Sequence, residues 1–198
     1  METTLVKQKL STRELVFCAL FTALIAIGAF IKIMIPLGFF EVTLSLQFFF
    51  ALMAGIILGP RNGLVSVSLY LIIGLIGIPV FAHGGGPGYL LKPTFGFLIG
   101  FAVAAWVVGL LKNQFRELNF YKLLGAAFVA ELAYYACGLI YYFVMFNFIL
   151  ANGRAIGIAE LLSVWFLSTV IPDFVLCLLA TMLAMRLIPM TRSLGINR

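Results

Sequence analysis

Of 198 residues, 64% are hydrophobic and only 10% charged, whereas a soluble domain averages about 25% charged. With a mean hydropathy of +1.16, that excludes a water-soluble domain and describes an all-α integral membrane protein. The net charge of +6 is modest, and the basic residues stand at the ends of apolar runs, where topology explains them without nucleic acid.

At about 20 residues per crossing, the chain has room for six transmembrane helices in a single domain, 1–198. After a polar start from Met1 to Arg13, the first span runs from Glu14 to about Met34. It is too long for a signal-peptide core and lacks a small-residue cleavage site, so it reads as a retained span. Pro36, Gly38 and Glu41 mark a turn before a short second span, Leu44 to Leu58. Gly59-Pro60-Arg61-Asn62-Gly63 reads as a tight basic turn. The third span, Leu64 to Ile78, leads into Gly84-Gly85-Gly86-Pro87-Gly88-Tyr89, where the glycines favour φ > 0 and close backbone approach. Lys92 and Pro93 follow. The fourth span covers Phe95 to Leu111, the hydrophilic segment Lys112 to Lys122 comes next, and the fifth span covers Leu123 to Leu150. Pro172-Asp173 suits the first turn of a helix, so the sixth span starts there. Gly153 to Val170 is then interfacial, with Arg154, Glu160 and Trp165 at headgroup depth.

With the N-terminus inside, ten basic residues fall on inner segments (Lys7, Lys9, Arg13, Arg61, Lys112, Arg116, Lys122, Arg186, Arg192 and Arg198), and Lys32, Lys92 and Arg154 are left outside. The positive-inside rule therefore places both termini in the cytoplasm. The same assignment brings the glycine loop and Asp173 together at the outer face.

Polar residues within spans are costly and mark candidate sites. Gln47 opens the second span, and Thr169 and Asp173 flank the start of the sixth. Glu131, Tyr135, Gly138 and Tyr142 share one face of the fifth helix. Each has a plainer reading. Lys92 fits a side chain reaching lipid phosphate, Asp173 fits a helix cap, and the tyrosine face fits helix packing. His83, the single histidine, cannot by itself build a zinc site, and Cys18, Cys137 and Cys177 are dispersed without a CxxC, so no metal is expected. Ala19 and Ala23 stand four apart on the first helix, continued by Ala26, which reads as bundle packing or as a docking face for another membrane protein.

No GxxxxGK[ST], GxSxG or HExxH occurs, so the chain is not read as an enzyme and its own use of ATP is not expected. A membrane transferase using Lys92, His83 and Asp173 lacks a readable acid–base pair. A channel would need a continuous polar path through Glu131.

Several segments resemble the BioY family. They are Glu41-Val42-Thr43-Leu44-Ser45-Leu46-Gln47, Ala54 through Gly63, Tyr70-Leu71, Gly74 through Phe81 with the triple-glycine loop, Pro93 through Phe101, and Pro172-Asp173 in place of a Pro-Gly-Asp. The match is close over 14–112 and looser beyond. BioY proteins are the biotin-capturing S components of energy-coupling-factor transporters. The resemblance implies a six-helix S-component bundle in a prokaryotic plasma membrane, with its ligand site near the outer face under closing loops. It implies docking through Ala19 and Ala23 onto a transmembrane coupling protein that carries two ATPases, and no cofactor on this chain. Two departures stand out: Leu176 occupies the position of a lysine common in the family, and Ser45 replaces the threonine of Thr-Leu-Gln. Lys92 must then neutralise the carboxylate of biotin, or the ligand is a relative such as lipoate or dethiobiotin. On this reading Asp173 accepts from the ureido N–H groups and Gln47 or a loop N–H donates to the ureido carbonyl. Tyr89 and Tyr135 wall the thiophane ring, while Lys92 and N–H groups of Gly84, Gly85 and Gly86 meet the valerate. Glu131 completes the candidate ligand-binding set.

Overall fold

The computed structural model describes residues 11–37, 40–150 and 155–193. Lys7, Lys9, Gly38, Arg154 and Arg198 lie outside them. Helix α1 (Thr12–Phe30) begins with a reciprocal cap: the Ser11 hydroxyl accepts from the Glu14 N–H at 3.2 Å, and the Glu14 carboxylate accepts from the Ser11 N–H at 2.8 Å. This satisfies two of the donors a helix start leaves over.

The chain leaves α1 four residues before the expected Met34. It forms an antiparallel hairpin, β1 (Lys32–Leu37) with β2 (Phe40–Ser45), in the register Lys32↔Ser45 to Leu37↔Phe40. Pro36 and Glu41, expected in a turn, stand opposite each other in the two strands. The residues in this stretch carry the signal: isoleucine, valine and threonine favour the pleat, and Pro36 is tolerated because both strands of a two-stranded sheet are edges.

Helix α2 (Gln47–Ile76) breaks at Gly59, whose φ of 82° requires glycine. A Cβ placed on Gly63 would stand 2.7 Å from the Gly55 Cα. In an unbroken helix residues eight apart are about 12 Å distant, so the two arms of α2 fold back against each other. The basic turn read from the sequence is thus a single-residue break, with Pro60 to Gly63 already helical. Helix α3 (Phe95–Gln114) packs into this corner: a Cβ on Gly109 would lie 2.5 Å from the Pro60 nitrogen, and one on Gly55 2.1 Å from the Ala105 carbonyl oxygen. Pro60 has no N–H to offer the Ile56 carbonyl. Lys112 supplies the donor instead, its ammonium 2.6 Å from the Ile56 oxygen, and the side chain is buried.

Helix α4 (Phe120–Val144) continues as a π-helical turn, Met145–Ile149. The short α5 (Ile158–Leu161) runs into a second π-helical segment, Leu162–Leu167, and α6 spans Val170–Ser193. Asn147 bridges across to Ile156, accepting from its N–H at 2.8 Å and donating to its carbonyl at 3.1 Å. Among the described residues five helices are long and apolar enough to cross a membrane, the doubled α2 counting as one. Helix α3 packs between α2 and α4, α1 packs on α2, and α6 packs on α2 and α4. The core is rich in alanine, with phenylalanine, leucine and isoleucine, and its alanines and the glycines at helix contacts let backbones approach closely where lipid offers no hydrophobic drive.

Candidate functional site

One end of the bundle holds a cavity open to solvent, with about 720 Å³ of space free of atoms when the solvent at its mouth is included. It is lined by the hairpin strand β2, the start of α2, the loop after α2, the first turns of α3, Tyr134 of α4, and Trp165, Thr169 and Asp173. Aromatic rings form its walls. Tyr134 stacks on Phe101, with ring centres 5.3 Å apart and planes 4° from parallel, and on Phe48 at 4.8 Å. Phe97 lies 5.6 Å from Trp165. Gly138 makes room for Phe97, since a Cβ there would meet the ring at 2.2 Å.

The loop over the cavity is folded tightly. Gly84 and Gly86 have φ of 108° and 103°, whereas Gly85 and Gly88 do not take positive φ. A Cβ on Gly85 would lie 2.4 Å from the Ile78 oxygen, so close approach explains it. The Gly84 N–H donates to the Phe81 carbonyl at 3.1 Å and the Gly86 N–H to the Gly74 carbonyl at 2.7 Å. Those N–H groups serve the fold of the loop, and Gly84, Gly85 and Gly86 do not line the cavity. A 3-10 turn, Pro87–Leu91, then carries Tyr89 inward onto Phe81, ring centres 4.6 Å apart. Burial pushes the Tyr89 phenol above its ordinary pKa, so it is neutral at physiological pH.

The hairpin is tied to this loop. Lys32 donates to the Ala82 carbonyl, and Thr43 Oγ1 lies 3.1 Å from His83 Nε2. Beneath them Gln47 is held at both ends of its amide: Oε1 accepts from Ser45 at 3.1 Å, and Nε2 donates to the Tyr70 hydroxyl, which donates to the Val80 carbonyl at 3.2 Å. Gln47 faces the cavity while bracing hairpin, helix and loop.

Asp173 sits in the first turn of α6, its N–H donating to the Thr169 carbonyl at 2.9 Å. Its carboxylate is 5% exposed and borders the cavity. The Tyr135 hydroxyl donates to Asp173 Oδ2 at 2.6 Å and lies 2.6 Å from Thr169 Oγ1.

Of the residues expected at a ligand site, the cavity brings together Gln47, Tyr89 and Asp173. Tyr135 stands behind Asp173 rather than on the wall, drawn there by that hydrogen bond. Glu131 is fully buried one turn further along α4, with Oε2 3.4 Å from Cys177 Sγ and no hydrogen-bond partner for Oε1 among the described residues. Lys92 lies at the rim, its ammonium 4.2 Å from the centre of the Tyr89 ring and 3.4 Å from the His83 carbonyl oxygen. The whole face of Glu131, Tyr135, Gly138 and Tyr142 does point inward. Ala19 and Ala23 are exposed on α1, whereas Ala26 is half-buried against the core. Trp165, expected at headgroup depth, is buried in the π-helical segment Leu162–Leu167 and lines the cavity. Tyr134, Trp165, His83 and the residues of β2 were not foreseen. Tyr134 was within reach, standing three residues after Glu131 on the inward face; the hairpin needed its strand pattern to be noticed.

A family model described as the BioY family matches residues 2–193. The chain is 40% identical over 183 residues to the probable biotin transporter BioY of Lysinibacillus sphaericus, covering 92% of this chain and 90% of the relative. It is 35% identical over 176 residues to the biotin transporter BioY of Thermotoga maritima, covering 88% and 95%. Its fold matches the crystal structure, at 2.1 Å, of the S-component for biotin from an ECF-type ABC transporter, with a TM-score of 0.77, 26% identity, and 90% and 94% of the two chains covered. An aspartate beside a roofed aromatic cavity thus sits in a sequence matched almost end to end, and the chain belongs to the BioY family.

Proposed function

We propose that this protein is the biotin-binding S component of an energy-coupling-factor importer, capturing the vitamin in the cavity at Asp173. The observation that carries the reading is a nearly dry carboxylate, with one oxygen already committed, on the wall of an aromatic chamber. Biotin has the matching chemistry. Its ureido ring presents two N–H donors, its bicycle is apolar, and its valerate ends in a carboxylate. Asp173 accepts from the ureido N–H groups, Tyr134, Phe101 and Trp165 enclose the rings, and the valerate extends towards Lys92 at the rim. Charge-assisted hydrogen bonds of about 1.5–3 kcal/mol each bring nanomolar affinity, about −12 kcal/mol, within reach. A ligand without paired N–H donors leaves Asp173 unmatched and is rejected; lipoate is such a ligand.

On this reading the chain crosses the membrane six times, the arms of α2 forming two crossings, with both termini inside and the cavity outward. The basic-residue bias supports that orientation. Ala19 and Ala23 lie on an open helix face that fits a transmembrane coupling protein, with two ATPase subunits supplying the energy. Titration calorimetry on the purified protein tests the ligand site. Asp173→Ala should weaken biotin binding by about a hundredfold or more, while Glu160→Ala leaves it within about threefold. Equal losses, or none, would remove Asp173 from the site.

A further inference from the structure

We propose that Tyr135, backed by Thr169, is a positioning residue that aims the Asp173 carboxylate, holding Oδ2 so that Oδ1 is the acceptor turned to the ligand. This rests on the assignment of the cavity as a biotin site and says how its specificity is built.

An ionised carboxylate only accepts, so in the 2.6 Å contact with Asp173 Oδ2 the hydrogen belongs to Tyr135. Tyr135 has no second hydrogen, and its hydroxyl also lies 2.6 Å from Thr169 Oγ1. Thr169 gives its single hydrogen to the Trp165 carbonyl one turn back, so it anchors the Tyr135 hydroxyl by position. The direction of the link to the carboxylate is fixed: Tyr135 donates to Asp173. Tyr135 and Thr169 are both buried, so water does not compete for these contacts. Asp173 Oδ1 makes no hydrogen bond among the described residues, yet it is not sealed in, while Oδ2 is taken. A carboxylate with both oxygens free could rotate and would accept donors over a range of directions. Pinned at Oδ2, it presents one oxygen in one direction, which favours a planar ligand with N–H donors at fixed spacing.

Asp173 is the single aspartate of the chain, which gives a direct readout. Protein labelled with carbon-13 at the aspartate side-chain carboxyl shows one isotope-shifted carboxylate band in the infrared, and it belongs to Asp173. The experiment measures that band and the Kd for biotin in the full-length protein and in Tyr135→Phe, Thr169→Val and Thr169→Ser. Tyr135→Phe should shift the band and raise Kd about tenfold to a hundredfold, the worth of one charge-assisted hydrogen bond. Thr169→Val should shift both in the same direction by less, and Thr169→Ser should restore them. Thr169→Val probes the anchor of the Tyr135 hydroxyl should Tyr135→Phe fold poorly. An unmoved band in Tyr135→Phe, or a shifted band with unchanged Kd, overturns the inference while leaving the biotin assignment standing. A wild-type protein that binds no biotin overturns both.

Discussion

Asp173 and Lys92 are separated in sequence by most of the C-terminal half of the chain, and the fold gives them different jobs. Asp173 is nearly inaccessible and its geometry is set by neighbours, whereas Lys92 sits at the rim over Tyr89. A rim ammonium is partly hydrated and gains less from an anion than a buried one. Lys92→Ala should therefore raise Kd for biotin by about threefold to tenfold and leave biotin amide, which lacks the negative end, nearly unchanged. Equal effects on the two ligands would show that Lys92 serves the loop. Gln47, Tyr89 and Asp173 were legible in the sequence because a polar or glycine-flanked residue beside an apolar run is conspicuous. The exact partners were not: that Tyr135 faces Asp173 and that Gln47 spends its amide on Ser45 and Tyr70 are outcomes of packing between elements far apart in the chain.

Elements show the same division. Apolar length fixed the helices, and Gly59-Pro60 announced the break in α2, but the hairpin from Lys32 to Ser45 was hidden inside hydrophobic runs that length alone assigns to spans. That Trp165 lines the cavity was hidden for a related reason, since the π-helical segment that carries it leaves no mark on composition. Lys112 is the most instructive case. Counted as an ordinary cytoplasmic charge, it is a buried donor replacing the N–H that Pro60 lacks. Lys112→Met preserves the length of the side chain and removes the donor, leaving the Ile56 carbonyl unmatched at a cost of about 1–3 kcal/mol. Thermal unfolding in detergent should show that loss, and biotin affinity should hold, because the break is remote from the cavity. An unchanged melting point would mean that water or another group caps the carbonyl as well.

On the scale of the whole molecule, the capture surface and the proposed docking surface are distinct: the cavity lies among β2, the glycine loop and the start of α6, and the alanine stripe lies outward on α1. Replacing Ala19 and Ala23 with tryptophan should abolish uptake in cells that carry the coupling module while biotin binding by the purified protein stays within about twofold. A parallel fall in binding would assign the stripe to the fold of the bundle. The chamber also draws its walls from segments far apart in the chain, from Val42 to Asp173. Its cargo therefore doubles as a keystone. Whatever occupies the space touches all of those walls at once, and at a thousandfold excess over Kd it lends the fold about 4 kcal/mol. Vitamin supply thereby sets the lifetime of the receptor as well as its occupancy.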